Sequence, residues 1–149
     1  MRFVLILALV TLVAAPQAFA GKPDKYLNAQ QINALEAKAE HANAKERCYL
    51  YARIVNAMTW KAGRDLSSGN SATMSATLKA IREYTAKIHA AITERSKKLK
   101  DAQIMMDRTA FRLKELMKSS SLDDQQAFAS TLKQLDQVQS QMMLAVFQK

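Results

Sequence analysis

Proline is confined to the first 23 residues of this 149-residue chain, at Pro16 and Pro23. Glycine is nearly as rare, with three in the whole sequence. Both residues punctuate the turns of β-rich folds, and typical proteins contain roughly 7% glycine and 5% proline. A chain this poor in both can form a few long helices. Sandwiches, barrels and glycine-rich nucleotide-binding folds are nearly excluded, and the length favours one domain.

The first twenty residues have the pattern of a secretory signal peptide. A positive start at Arg2 precedes an apolar run over 3–15, Pro16 ends that run, and 18–20 has the small-x-small form that signal peptidase reads. The apolar run is shorter than the ~20 residues of a spanning helix. We therefore predict cleavage after Ala20, a periplasmic or secreted protein, and no transmembrane segment in the chain that remains.

Helix caps divide the remainder of the chain. Asn28 can cap a helix while Gln31 reaches back to the backbone of Asn28. Gly69 suits the left-handed position after a helix, and Ser121 can cap the last helix. The predicted organisation is a signal peptide over 1–20, a tail over 21–27 and a single all-α domain over 28–149. Its antiparallel long-helix hairpins comprise three helices, at about 28–67, 71–118 and 122–147.

The middle helix carries an apolar seam in steps of three and four residues, from Leu78 to Leu116. The seam turns polar at 95–97. Two architectures therefore stay open: an elongated three-helix rod, or a compact four-helix bundle if the middle helix breaks near 95–101. In the first helix a change of register predicts a kink near 44–47. Gly63 inside that helix costs about 1 kcal/mol relative to alanine, which favours the close approach of another helix there.

Few residues could carry catalysis or hold a metal. His41 and His89 lack the glutamate three residues earlier that a di-iron carboxylate bundle needs, and their spacing to Cys48 fits no common zinc pattern. We therefore predict no enzyme activity, no catalytic or metal-binding residues and no cofactor. A metal-binding protein or an enzyme is the third functional alternative.

Cys48 is the sole cysteine, so the chain cannot form an internal disulfide. Its neighbours Tyr49, Leu50 and Tyr51 favour a buried thiol. The alternative is a reactive thiol that forms an intermolecular disulfide and hence a homodimer.

The chain carries 22 basic and 13 acidic residues, a net charge of +9, and loss of Arg2 with the signal peptide would leave +8. The candidate face for an anionic partner comprises Arg95, Lys97, Lys98, Lys100, Arg108 and Arg112. A solvated helix face is the alternative. The implied partners are an anionic envelope component or a protein. Nucleic acid is disfavoured, because the protein is predicted to be exported and its aromatic residues are not interleaved with the charges.

Three segments, 48–51, 56–59 and 129–138, resemble a family of exported bacterial all-helical proteins of unknown function. The resemblance covers roughly residues 45–149. It implies a shared helical domain and no assigned activity or ligand.

Two near copies, Leu27–Gln31 and Leu122–Gln126, resemble the Leu-Thr-x-x-Gln motif of Spy-like periplasmic chaperones, with Asn28 and Asp123 in place of the threonine. That resemblance implies a helical cradle for unfolded clients. The sequence as a whole predicts an exported, non-enzymatic helical binding protein of the bacterial cell envelope, and a Spy-like holdase chaperone is the second hypothesis.

Overall fold

The computed structural model describes residues 23–92 and 97–148, and within these ranges the chain forms helices and no strand. A 3₁₀ turn (Asp24–Tyr26) precedes five α-helices: α1 (Ala29–His41), α2 (Ala44–Ser67), α3 (Ser71–Ala91), α4 (Lys97–Lys118) and α5 (Leu122–Phe147). The all-α prediction is confirmed. None of these helices is long and apolar enough to cross a membrane. The predicted signal peptide over 1–20 lies outside the described residues.

Helix boundaries follow the side chains that the sequence marks as caps. The backbone N–H of Gln31 donates to Asn28 Oδ1 at 2.9 Å, and the N–H of Asn28 donates to Gln31 Oε1 at 3.0 Å. Asn70 caps α3 and Ser121 caps α5. Gly69 follows α2 with φ of 71°, in the left-handed region that favours glycine. The predicted capping box and both turns are confirmed.

The division into three long helices is wrong, and the first predicted helix is interrupted at a corner between α1 and α2. The Asn43 side chain accepts a hydrogen bond from the first turn of α2 and starts that helix. Arg47 donates to the backbone carbonyls of Ala39, at 3.1 Å, and Ala42, at 2.8 Å. The Ala42 carbonyl lies beyond the end of α1 and gains a partner in Arg47, whereas the Ala39 carbonyl also accepts from the Ala42 N–H. The expected kink near 44–47 therefore corresponds to a full break just before it.

The predicted middle helix over 71–118 is divided as well. α3 ends at Ala91, Ile92 is extended with φ of −67° and ψ of 121°, and α4 begins at Lys97. The break begins on the N-terminal side of the expected 95–101. A continuous helix would gain little apolar contact where the seam is polar, so the seam does not hold the two halves together.

The four longer helices contact one another in the cyclic order α2–α3–α5–α4, and both α1 and the 3₁₀ turn pack on α2. Short connections make α2 antiparallel to α3 and α4 antiparallel to α5. Ser71 donates to Asp124 at 2.6 Å, which brings together the starts of α3 and α5. α2 likewise runs parallel to α4. The connections after α2 and after α4 lie at the same end of the molecule, called the turn end below.

The core is built from the apolar stripes that the sequence predicts. All six predicted positions of α5 are buried: Phe128, Leu132, Leu135, Val138, Met142 and Val146. Five threonines are also buried, and each donates its hydroxyl proton to the carbonyl four residues earlier: Thr59, Thr77, Thr85, Thr109 and Thr131. Because a buried hydroxyl needs a partner, these local bonds let polar side chains occupy seam positions.

Candidate functional site

The predicted anionic-partner face lies in two different settings along α4. Four of its side chains are exposed: Lys97, Lys98, Lys100 and Arg108. Lys98 Nζ lies 4.6 Å from the ring centroid of Tyr49 on α2. Arg112 differs from these four because it is half-buried against α2. Arg95 lies outside the described residues.

Arg112 stacks on Trp60, the only tryptophan of the chain. The guanidinium carbon lies 3.4 Å from the ring centroid, within the range of a strong cation–π contact. Its other polar contact is a 3.4 Å hydrogen bond to Asn56 Oδ1. Burial lowers the pKa of Arg112 from its usual value, and a guanidinium remains protonated at neutral pH. Arg112 is therefore a partly desolvated cation held by a ring and an amide.

The 3₁₀ turn brings a second cation to the same ring. Asp24 is buried and accepts hydrogen bonds from Arg53 Nε and Asn56 Nδ2, both at 3.0 Å. These bonds hold the turn against α2 and place Lys25 Nζ 5.1 Å from the Trp60 centroid. No sequence pattern assigns a role to Asp24 or Lys25. The acid next to Pro23 is the only local signal, and its partners lie far away in the sequence.

A groove between α2 and α4, at the turn end, joins these features. We call it the α2–α4 groove. Its lining includes Lys25, Trp60, Gly63, Arg64, Arg112 and Leu116. The groove has a volume of about 700 Å³, in the range of small-molecule sites. Arg64 donates to the backbone carbonyl of Lys25 at 3.1 Å, which ties the 3₁₀ turn to the mouth of the groove.

The floor of the groove is apolar and depends on Gly63. A Cβ at this position would lie 3.4 Å from the Leu116 side chain of α4, at the near limit of ordinary contact. The helix approach predicted at Gly63 is therefore present, through a side chain of the neighbouring helix. The missing side chain also leaves the floor open.

No carboxylate of residues 23–92 and 97–148 forms a salt bridge with Lys25, Arg64 or Arg112. Five cations elsewhere in these ranges do have such partners. Arg53 pairs with Asp24 at 3.0 Å, and Lys61 pairs with Asp65 at 2.6 Å. The groove therefore concentrates positive charge that the described part of the fold leaves unbalanced.

Cys48, His41 and His89, the residues that could have carried catalysis or held a metal, differ in setting. Cys48 is buried, with 1% of its surface exposed, and burial raises the pKa of its thiol to about 12. His41 and His89 are exposed, and His89 Nδ1 is hydrogen-bonded to Gln141 Oε1. Within the described ranges, no three His, Cys, Asp or Glu side chains are placed to share a metal ion. The prediction of a buried thiol at Cys48 is therefore confirmed.

Comparison with protein-family models, with curated proteins and with solved structures finds no match to this chain. The candidate site therefore stands on its geometry and charge.

Proposed function

We propose that this chain is an exported, non-enzymatic helical binding protein of the bacterial cell envelope, and that its α2–α4 groove receives an anionic partner. One observation carries the proposal: three cations surround an apolar groove and form no salt bridge with any described carboxylate. A partly desolvated cation without a counter-charge favours an anionic ligand, because the ligand supplies the missing charge pair.

The proposed architecture is a four-helix bundle of α2, α3, α4 and α5, with α1 packed outside on α2. The closed cyclic order of helix contacts supports it. In such a bundle, ligand sites lie between neighbouring helices, as the α2–α4 groove does.

Export is tested by measuring the mass of the protein recovered from the cell envelope. We expect the chain to begin at Gly21, because the predicted signal is removed after Ala20. An envelope form that still begins at Met1 would contradict cleavage, and recovery from the cytoplasm alone would contradict export.

The binding function is tested by crosslinking in intact cells. A photo-reactive residue replaces Ser67 in the groove, and the same residue replaces the exposed Ser75 of α3 as a matched control. We expect an adduct with an anionic molecule from position 67, weakened by Arg112→Gln. Equal adducts from both positions, or an adduct that Arg112→Gln leaves unchanged, would contradict the proposal.

A Spy-like holdase chaperone is the second candidate, favoured by apolar side chains exposed among the cations of α4. Phe111 is 67% exposed and Ile104 is 40% exposed, with Arg108 and Lys114 between and beside them. Such a mixed surface could hold unfolded clients through apolar contact and charge.

Holdase activity is tested by light scattering from an aggregating client at near-stoichiometric ratios. Suppression should weaken with salt and with Phe111→Ser. The matched control is Phe147→Ser, because Phe147 is 72% exposed at the far end of α5. Absence of suppression, or equal loss in both variants, would rule out the α4 face as a client site.

A further inference from the structure

The three hydroxyl groups on the α2 side of the α2–α4 groove are already engaged within α2. Thr59, Ser67 and Ser68 line the groove. Their protons go to the backbone carbonyls of Val55, Gly63 and Asp65, at 2.9, 2.8 and 3.0 Å. A bound peptide needs hydrogen-bond donors for its own carbonyl groups, and these hydroxyls have none to give. A hydrocarbon chain has no such requirement, and the lining of the groove is mostly apolar, so this side of the groove suits a hydrocarbon chain.

Arg112 offers a binding position for one anionic headgroup. One face of the Arg112 guanidinium covers Trp60, while its N–H groups point along the edge, where a single long bond to Asn56 uses one of them. A guanidinium fork binds carboxylate or phosphate oxygens in pairs. Lys25 Nζ lies 5.1 Å from the centroid of the same ring and adds a second positive charge beside Trp60.

The dimensions of the groove limit the size of its occupant. Its α2 side runs from Thr59 to Ser68, which is about 13.5 Å at 1.5 Å per residue. Gly63 and Leu116 form its floor. From these observations we infer that the groove holds a single-chain anionic amphiphile, with its headgroup at Arg112 and its hydrocarbon chain along the Gly63–Leu116 floor. This inference rests on the proposed function and specifies the ligand class.

The experiment titrates the purified protein with decanoate below its micelle-forming concentration. Trp60 is the only tryptophan, so its emission reports directly on the groove. We expect a saturable change in emission, and binding of the uncharged decanol that is weaker by about tenfold or more, because it lacks the charged hydrogen bonds to Arg112. Acetate at the same concentrations should leave the emission unchanged, because it lacks the chain.

Variants locate the site while keeping the reporter. Arg112→Gln should weaken decanoate binding by about tenfold, and Arg112→Lys by less. Gly63→Leu should fill the floor and weaken binding at least as much. Gly63→Ala adds a single methyl group, which the 3.4 Å spacing to Leu116 can accommodate. It tests the floor of the groove if the leucine variant does not fold. Lys79→Gln on the exposed side of α3 removes the same charge elsewhere and should change nothing.

Several outcomes would overturn the inference. Equal affinity for decanoate and decanol would show that the groove does not require an anionic headgroup in its ligand. Binding of anionic phospholipid vesicles without binding of decanoate would assign the cations to a membrane surface. If neither Arg112→Gln nor Gly63→Leu changes the affinity for decanoate, the binding site lies outside the α2–α4 groove. If decanoate fails to bind while the position-67 crosslink still depends on Arg112, the amphiphile is wrong and the proposed function stands.

Discussion

Lys87 and Arg112 each lie over an aromatic ring of α2, the first where α3 packs on α2 and the second where α4 does. Lys87 Nζ lies 5.5 Å from the Tyr51 centroid, and it also forms a 2.6 Å salt bridge with Glu36 of α1. Arg112 lies closer to its ring, on Trp60, but forms no salt bridge with a described carboxylate. The first site is complete within the fold, whereas at the second no described carboxylate lies within salt-bridge distance of the cation.

The completed site holds α1 in place. Glu36 accepts hydrogen bonds from Lys87 and from Tyr84, both at 2.6 Å, and so links α1 to α3. The bond from Lys87, followed by that from Tyr84, lowers the pKa of Glu36. The Arg112 site joins α2 and α4 through a ring contact and a long hydrogen bond. The comparison indicates that charge stabilises the fold at the first site and remains available to a ligand at the second.

The largest difference is expected between the two rings. Tyr51 is buried, with 5% of its surface exposed, whereas Trp60 is half-buried. Tyr51→Ala should lower the free energy of unfolding by about 3 kcal/mol because it leaves a core cavity, and Trp60→Ala by about half as much. Urea unfolding followed by circular dichroism measures both, with the exposed Tyr26→Ala as control. If Trp60→Ala lowers the free energy of unfolding more than Tyr51→Ala does, the main role of Trp60 is to stabilise the fold.

Removing one charge from each site should have unequal effects on stability. Glu36→Gln should lower the free energy of unfolding by about 0.5–1 kcal/mol, because both partners are partly exposed and solvent screens the pair. Arg112→Gln should stay within about 0.5 kcal/mol of the parent protein, because loss of the cation–π contact is offset by relief of the desolvation cost of a cation that has no salt bridge with a described carboxylate. Thermal unfolding compares them, with Lys79→Gln as reference. A loss for Arg112→Gln that equals the loss for Glu36→Gln would erase the distinction.

The pH dependence of stability should separate the sites as well. Because the pKa of Glu36 is lowered in the folded protein, its contribution is present above its unfolded value and is lost as pH falls through the folded pKa. The gap between the parent and Glu36→Gln should therefore close between pH 7 and about pH 3. The gap for Arg112→Gln should stay constant over this range. A Glu36→Gln gap that persists in acid would mean that packing, and not charge, makes the difference.

At high pH the same pair acts through lysine. The bond to Glu36 raises the pKa of Lys87, so its contribution is present below the usual value of 10.5 and is lost as pH rises through the folded pKa. The charge pair therefore stabilises the fold between the acid and alkaline limits, and neutral pH lies well inside that window.

The smallest expected effect is on the reactivity of Cys48. A thiol that is 1% exposed, with its pKa raised to about 12, should react slowly with maleimide until denaturant is added. If maleimide reaches Cys48 only in unfolded molecules, Glu36→Gln should raise the labelling rate about two- to fivefold. Arg112→Gln should leave the labelling rate unchanged. Fast labelling of the native protein, or a dimer lost on adding reductant, would favour the intermolecular disulfide.

Local features of the fold could be predicted from the sequence. Asn28 and Gln31 form their capping box within one turn, and the α5 stripe needs only the helical period, so neither depends on distant contacts. The breaks were harder to place. The corner before α2 depends on Arg47, whose acceptors lie five and eight residues earlier across a change of direction. The apolar periodicity locates the change of register to within a few residues, but it does not show that the helix ends there.

The candidate site could be predicted only in part. Charge density selected Arg112 along with its exposed neighbours, but the stack on Trp60 joins residues on two different helices. Asp24 and Lys25 were assigned to a tail because no pattern links them to Arg53 or Trp60. Such long-range pairs depend on how the helices pack, and one sequence without its packing does not specify them.

Because α2 and α4 run parallel, the groove lies at one end of the molecule, and this position decides where a tag can be attached. The groove opens at the turn end, whereas α5 runs antiparallel to α4 and ends at Phe147, about 39 Å away along a helix of 26 residues. A tag or a sensor support attached after Phe147 would therefore hold the groove outward, clear of the surface. An attachment ahead of Pro23 would crowd the 3₁₀ turn at its mouth.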